Sequence, residues 1–482
     1  MADIKKNYFY NSLLTVANYL FPLITYPYVS RVLGVGNIGI VNYVDSLVNY
    51  FLLFSMTGIG IVGVREIAAC RDDRAQRDAV FSSLLSLNAV TTLVAVVALT
   101  VFMFAVPSMA QYRPLLGIGV LKLLSTFLSV DWMFPGLENF KYITLRSLIV
   151  RTAYVVCVFL FIRKPEDYPV YYALLTLPIL ANVVINLSFV RRFVSFVPAS
   201  IRWGRSLAPY LLMGLYCILT SFYTSFNVVY LGGVSDNVQV GYYASASKIF
   251  YLTIAMFSAF TSVMMPRMSA LLAEDRKEEF SRFVGQTIRV LVCIGVPLVL
   301  FMEVEAVDII RLVSGRGYEG AVTPLRIIAP LILVIGVEQV FVTQTMMPLR
   351  MDREVLFNSF VGALCGVLLN ILLVRRFLAD GSSVVWLVCE IVVLTLAFLA
   401  VRRRTSAVLP VSSALLELVK YVPLVVVLFL LYRPLGANPF VRFFVLATVS
   451  GVYFLLLNCV IQKDTVVLSL LRTVLPGSKG KE

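Results

Sequence analysis

Apolar stretches about twenty residues long follow one another along almost the whole chain, separated only by short polar connectors. A helix crossing the hydrocarbon core of a bilayer needs roughly 20 such residues. Of the 482 residues 60% are hydrophobic and only 14% are charged, against about 25% charged in a soluble domain. Folded in water, such a chain would expose more apolar surface than water tolerates. Its solvent must therefore be a membrane.

Spans are expected near 8–33, 38–63, 79–106, 114–135, 142–162, 170–190, 206–232, 239–266, 284–303, 321–345, 355–374, 384–401, 415–432 and 440–461. The first follows Lys5 and Lys6 and is too long for the apolar core of a cleavable signal. The connector 304–320 is the longest expected on the outer side, too short for an extracytoplasmic catalytic domain. Roughly 25 Lys and Arg fall on the side of the N-terminus and 9 on the other. By the positive-inside rule both termini are cytoplasmic and the number of spans is even. The net charge of +14 reads as that topology signal rather than as a nucleic-acid surface.

Histidine is absent. That excludes a histidine proton relay, a histidine metal ligand and any Ser/His or Cys/His nucleophile. The seven cysteines form no CxxC pair and read as packing residues, so no metal or cofactor is expected. Pro22 and Pro27 in one span mark a candidate hinge.

An internal repeat runs at an offset of 202 residues. Gly39 matches Gly241, Arg65 matches Arg267, Ala68 matches Ala270, and Phe81 matches Phe283. Asp72-Asp73-Arg74 matches Glu274-Asp275-Arg276, and Leu33-Gly34 resembles Leu231-Gly232. Six spans separate the copies, so both share one orientation. Two lobes related by an axis along the membrane normal follow, a recurrent transporter plan. The segment 269–283 reads as a charged helix on the cytoplasmic surface.

Ionisable side chains inside spans are costly and face protein or water. Lys122, Arg151 and Lys248 fall deep, and Arg31 lies near the outer mouth. These four are the candidate substrate-binding residues, and the positive balance suits an anionic ligand. Asp45 sits at the depth of Ser247, beside Lys248. Asp45, Asp131 and the repeat-related Arg65 and Arg267 are candidate coupling or gating groups.

Several motifs carry a family resemblance. They are Pro27-Tyr28-Val29-Ser30-Arg31-Val32-Leu33-Gly34 followed by Gly39 and Asn49-Tyr50-Phe51, then Arg65-Glu66-Ile67-Ala68, and the run Asp131-Trp132-Met133-Phe134-Pro135-Gly136 continuing to Ile143. Asp167-Tyr168, Gly241-Tyr242-Tyr243 with Lys248, and Met265-Pro266-Arg267 complete the set. In these the chain resembles the polysaccharide (O-antigen type) flippases of the multidrug/oligosaccharidyl-lipid/polysaccharide exporter superfamily. Where that family usually has Asp and Gln, this chain has Asn227 and Pro135.

The resemblance implies an all-α membrane protein of about fourteen transmembrane helices. Two pseudo-symmetric six-helix lobes (1–195 and 196–405) surround a central cavity, and 406–482 holds two extra helices and a cytoplasmic tail. It implies flipping of an undecaprenyl-diphosphate-linked oligosaccharide across the bacterial inner membrane by alternating access, not enzymatic turnover. Implied partners are that lipid-linked oligosaccharide, membrane lipid, and polysaccharide polymerase machinery, with a proton or sodium as the open choice of coupling ion. Tyr26, Tyr43, Tyr223, Tyr242 and Tyr243 are then candidates for stacking on sugars. A multidrug/cation antiporter of the same superfamily and a peptidoglycan-precursor flippase remain the alternatives. The antiporter should favour acidic groups in its cleft. A polymerase or ligase should carry a large outer loop.

Overall fold

The computed structural model describes residues 2–56, 58–274, 276–404, 411–432 and 438–461. Every regular element among them is helical. In a bilayer this follows from hydrogen-bond economy, because a helix satisfies its own backbone where no water can.

The chain divides into two compact units. The first is Met1–Ala244 with Ala363–Ser382, and the second is Ser245–Gly362 with Ser383–Glu482. The first unit contains α1 (Ala2–Met56), α2 (Ile59–Ala69), α3 (Arg74–Ala105), α4 (Arg113–Ser129) and the short α5 (Met133–Gly136). It continues with α6 (Phe140–Phe161), α7 (Tyr168–Val190), α8 (Gly204–Thr224) and α9 (Phe226–Val234). Helix α10 (Asn237–Ala273) starts in the first unit and runs into the second. The second unit is built mainly from α11 (Lys277–Val313), α12 (Val322–Ile328), α13 (Leu331–Phe341) and most of α14 (Asp352–Leu369). Most of α15 (Arg375–Arg404), with α16 (Val411–Tyr432) and α17 (Pro439–Leu455), completes it.

These helices supply the fourteen expected crossings. Two apolar stretches, Leu20–Ala69 and Asp352–Arg403, are 50 and 52 residues long, enough for two crossings each. Inside them, α1 and α15 each carry one non-helical residue. In α1 the break is Gly34, at φ 76° and ψ 166°; in α15 it is Leu378, at φ 51° and ψ −124°. The helix runs through both Pro22 and Pro27, so the turn in α1 belongs to the glycine. That conformation is essentially reserved for glycine. Gly34→Ala should therefore lower stability by about 1–3 kcal/mol, read as an earlier midpoint in thermal unfolding of the purified protein. Among the described residues no neighbouring atom lies within 4 Å of the added Cβ, so a loss would report backbone strain.

The outer connector after the ninth span is shorter than the sequence suggested. Helix α11 continues through Glu303, Glu305 and Asp308 to Val313. The segment 269–283 is not one helix either. Helix α10 ends at Ala273 and α11 begins at Lys277, with Arg276 at the turn paired to Glu274 (2.8 Å) and Glu279 (2.6 Å).

Several family motifs turn out to be packing devices. Trp132 stacks on Phe81 at 5.8 Å between centroids, and Met133 and Phe134 are fully buried beside Ile59, Val62 and Ile67. Gly63 leaves room for the Trp132 ring, and Gly136 for Ile67. Asp167 accepts from the backbone N–H groups of Arg163 (2.9 Å) and Lys164 (3.0 Å), closing the loop before α7. Tyr28 Oη donates to the Ile162 carbonyl (2.6 Å) and Asn37 Nδ2 to that of Pro165 (2.9 Å), tying this loop to α1.

Candidate functional site

Asp45 and Asn49 are four residues apart on the second half of α1, so they share one helix face. Lys122 on α4 reaches both. Its Nζ lies 2.6 Å from Asp45 Oδ1 and 2.9 Å from Asn49 Oδ1, and Asn49 Nδ2 donates to Asp45 Oδ2 at 3.2 Å. At 1.5 Å per residue Lys122 stands about 14 Å along α4 from Arg113. An ammonium that deep is tolerated only with partners, and a carboxylate plus an amide oxygen supply them. The ammonium side chain is 11% exposed and the carboxylate 28%. The pair is thus shielded on the lysine side and open on the aspartate side.

Aromatic hydroxyls extend the cluster. Tyr171 and Tyr172 on α7 lie within electrostatic reach of Asp45, and among the described residues the buried Tyr172 hydroxyl has no hydrogen-bond partner of ordinary geometry. Tyr171 lies within electrostatic reach of Tyr154 on α6, which stands close to Thr25 of α1. One turn before Tyr154 stands Arg151, half-buried, with Tyr154 as its electrostatic neighbour and no carboxylate among the described residues to balance it. The first unit therefore holds a chain of polar groups from Arg151 through Tyr154 and Tyr171 to Asp45 and Lys122. Its two cations outnumber its one acid. Such a patch binds a polyanion better than a cation.

The other expected residues are distributed as follows. Arg31 is exposed and donates to the Pro27 carbonyl one turn back. Lys248 lies in the second unit on α10, half-buried and engaged by neighbours. Asp131 belongs to a separate cluster at the far end of α4, where Arg146 approaches it at 2.9 Å and Asn186 Nδ2 at 2.8 Å. Arg65 is largely exposed and paired with its neighbour Glu66 at 3.2 Å. The Arg267 side chain lies outside the described residues.

Sequence reasoning missed several members. Arg146 looks like a cytoplasmic-loop cation, yet it is buried on α6 and shared between Asp131 and Asn186. Asn49 and Tyr172 carry no signal of their own. Asn49 is hinted at only by its spacing of four from Asp45 and by the run Asn49-Tyr50-Phe51, and Tyr172 by nothing local. Tyr26, Tyr43, Tyr223 and Tyr243 are each under 5% exposed, so protein rather than open space covers them; Tyr242 is half-buried. Asn227, the family's usual aspartate position, accepts from Asn370 Nδ2 at 2.8 Å and donates to Tyr243 Oη at 3.3 Å. The substitution thus leaves an uncharged amide network.

Comparison with known proteins bears on these features. Residues 4–272 match the family model described as "Polysaccharide biosynthesis protein", and residues 213–373 match that of "MatE". Two similar curated proteins are each called "Putative O-antigen transporter". The one from Escherichia coli (strain K12) is 25% identical over 405 residues, 83% of this chain and 97% of that protein. The one from Shigella dysenteriae is 22% identical over 299 residues, 61% of this chain and 75% of that protein. Among solved structures, "Lipid II flippase MurJ, inward closed conformation" aligns with a TM-score of 0.78 at 13% identity, covering 94% of this chain and 99% of that one. An inward-facing multidrug resistance MATE family transporter aligns with a TM-score of 0.65 at 16% identity, covering 80% and 94%. At such identities the likeness speaks for the fold alone.

Proposed function

Since this chain belongs to the polysaccharide biosynthesis protein family of the multidrug/oligosaccharidyl-lipid/polysaccharide exporters, we propose that it flips an undecaprenyl-diphosphate-linked oligosaccharide from the cytoplasmic to the outer leaflet. The cargo is an O-antigen or other surface-polysaccharide repeat unit. The membrane is the bacterial inner membrane, with both termini cytoplasmic.

The observation that carries this reading is the cationic patch of the first unit. A diphosphate inside a membrane needs positive partners and hydrogen-bond donors. Arg151 offers a guanidinium with no carboxylate of its own, Lys122 an ammonium already shared with an exposed-side aspartate, and Tyr154, Tyr171 and Tyr172 offer hydroxyls. Incoming phosphate oxygens compete with Asp45 for Lys122. Asp45 then needs a proton or another cation, which gives a route for coupling transport to an ion. Arg31 and Lys248 are further residues that receive the diphosphate. Asp131, Arg65 and Arg267 act as gating groups. The polyprenyl tail stays in lipid throughout. A cation antiporter is disfavoured by the same excess of positive charge.

The test is the fate of the lipid-linked oligosaccharide in cells lacking the protein, complemented with wild type, Arg151→Ala or Lys248→Ala. Unpolymerised units are expected to accumulate on the cytoplasmic side with either variant and to clear with wild type. Should the units reach the outer leaflet in the null strain and fail only in polymerisation or ligation, the flippase reading is wrong. Accumulation of a peptidoglycan precursor instead would move the substrate to that class.

A further inference from the structure

The last two helices dock on α11 at two polar levels. At the inner level Cys293, Tyr421 and Asn458 satisfy one another: Asn458 Nδ2 donates to Tyr421 Oη at 3.0 Å, and Cys293 Sγ to Asn458 Oδ1 at 3.0 Å. At the outer level Arg442 of α17 forms a two-pronged ion pair with Asp308 of α11, and its guanidinium lies 4.1 Å from the Tyr432 ring centroid. Glu305 stands one turn before Asp308. It is fully buried, and among the described residues neither of its carboxyl oxygens has a hydrogen-bond partner.

The charge balance at this level is one-sided. Among the described residues, Asp308 on its own helix, Arg442 on α17 and Tyr432 at the end of α16 face Glu305, while Arg311 one turn further along α11 acts on Tyr432. On the α12 side, Arg326 binds the backbone carbonyl of Glu303 at 3.2 Å. On α13, Glu338 acts on Glu390. Arg442 is already committed to Asp308. One guanidinium cannot neutralise two buried acids in bidentate geometry. An ionised carboxylate stripped of water and of donors is far costlier than a neutral one.

We propose that Glu305 is a proton-binding site that locks α16 and α17 onto α11. With the proton bound, the neutral carboxyl is buried and the outer level is closed. Loss of that proton to the outer aqueous phase leaves an unpaired anion beside Asp308, and the anion is relieved only by water entering between α11 and α17. Docking of the two extra helices is thereby linked to proton activity on that side. This inference stands apart from the cationic patch and does not depend on the identity of the cargo.

The experiment is thermal unfolding of the full chain in lipid nanodiscs between pH 5 and 9, comparing wild type with Glu305→Gln. On this proposal the folded state holds a proton that the unfolded chain sheds as an ordinary exposed glutamate does. The folded state therefore binds more protons than the unfolded one, and stability must fall as pH rises. The wild-type minus variant difference is expected to decline with a slope of about one proton. Glu305→Gln, a neutral mimic, should show no such decline. A second variant, Asp308→Asn, frees Arg442 to pair with Glu305, so it should also abolish the slope while keeping the fold. Parallel curves for wild type and Glu305→Gln overturn the proposal. So does a sodium-dependent rise in wild-type stability that Glu305→Gln removes, because the site would then hold a metal cation on an ionised carboxylate.

Discussion

Lys122→Met is expected to stop oligosaccharide flipping and to destabilise the protein by about 2–3 kcal/mol, the range for stranding one member of a largely buried pair that keeps some solvent. The cost arises at Asp45. Its carboxylate would keep Asn49 Nδ2 at 3.2 Å but lose the ammonium at 2.6 Å. Asp45→Asn alone is expected to cost less, because its carboxylate is the more exposed partner and Asn49 still accepts from Lys122 at 2.9 Å. The combination Asp45→Asn with Lys122→Met should recover most of the stability, since a neutral pair needs no counter-charge. It should not recover flipping. That split is what separates a substrate-facing cation from a structural one, and the double-mutant cycle isolates it. Restored flipping in the double variant would sink the assignment of Lys122 to the diphosphate.

Gly39→Val and Gly241→Val are each expected to collapse the yield of folded protein. The two glycines are partners in the internal repeat, and both belong to the first unit, where their helices cross at backbone contact. A Cβ added at Gly39 would sit 1.7 Å from the carbonyl oxygen of Asn237, and one at Gly241 would sit 2.3 Å from that of Val35. Backbone oxygens cannot swing aside as a side-chain tip can. Overpacking that a core absorbs by side-chain shifts costs about 1–3 kcal/mol, and here the whole α1–α10 crossing would have to open. In membranes, helices associate largely through such close approach of small residues. Even alanine should lower the fraction of monodisperse protein recovered in detergent. Gly117→Ala is the control, because a Cβ added there meets no atom of the described residues within 4 Å. Equal recovery of Gly39→Ala and Gly117→Ala would show that the crossing tolerates separation.

The candidate site was legible in its expensive residues and illegible in its cheap ones. Asp45, Lys122 and Arg151 stand out because a charge within an apolar run demands an explanation. That Asp45 takes Lys122 as its ion partner could not be read, since the two lie 77 positions apart in sequence. Arg146 misleads for the opposite reason. Near a span boundary a buried arginine and a topology signal look alike, and only Asp131 and Asn186 from other elements distinguish them. Glu305 escapes notice because the run Glu303, Glu305, Asp308 resembles a polar connector until α11 is seen to continue through it.

The sequence by itself determined the solvent, the helical class and the number of crossings. Each is set by local composition: twenty apolar residues must cross a bilayer, and in that bilayer the backbone must bond to itself. Tertiary structure alone decided which charges meet, which tyrosines are covered, and why the repeated glycines are glycines. Those depend on helices remote in sequence approaching within a few ångströms, and no local pattern encodes that distance.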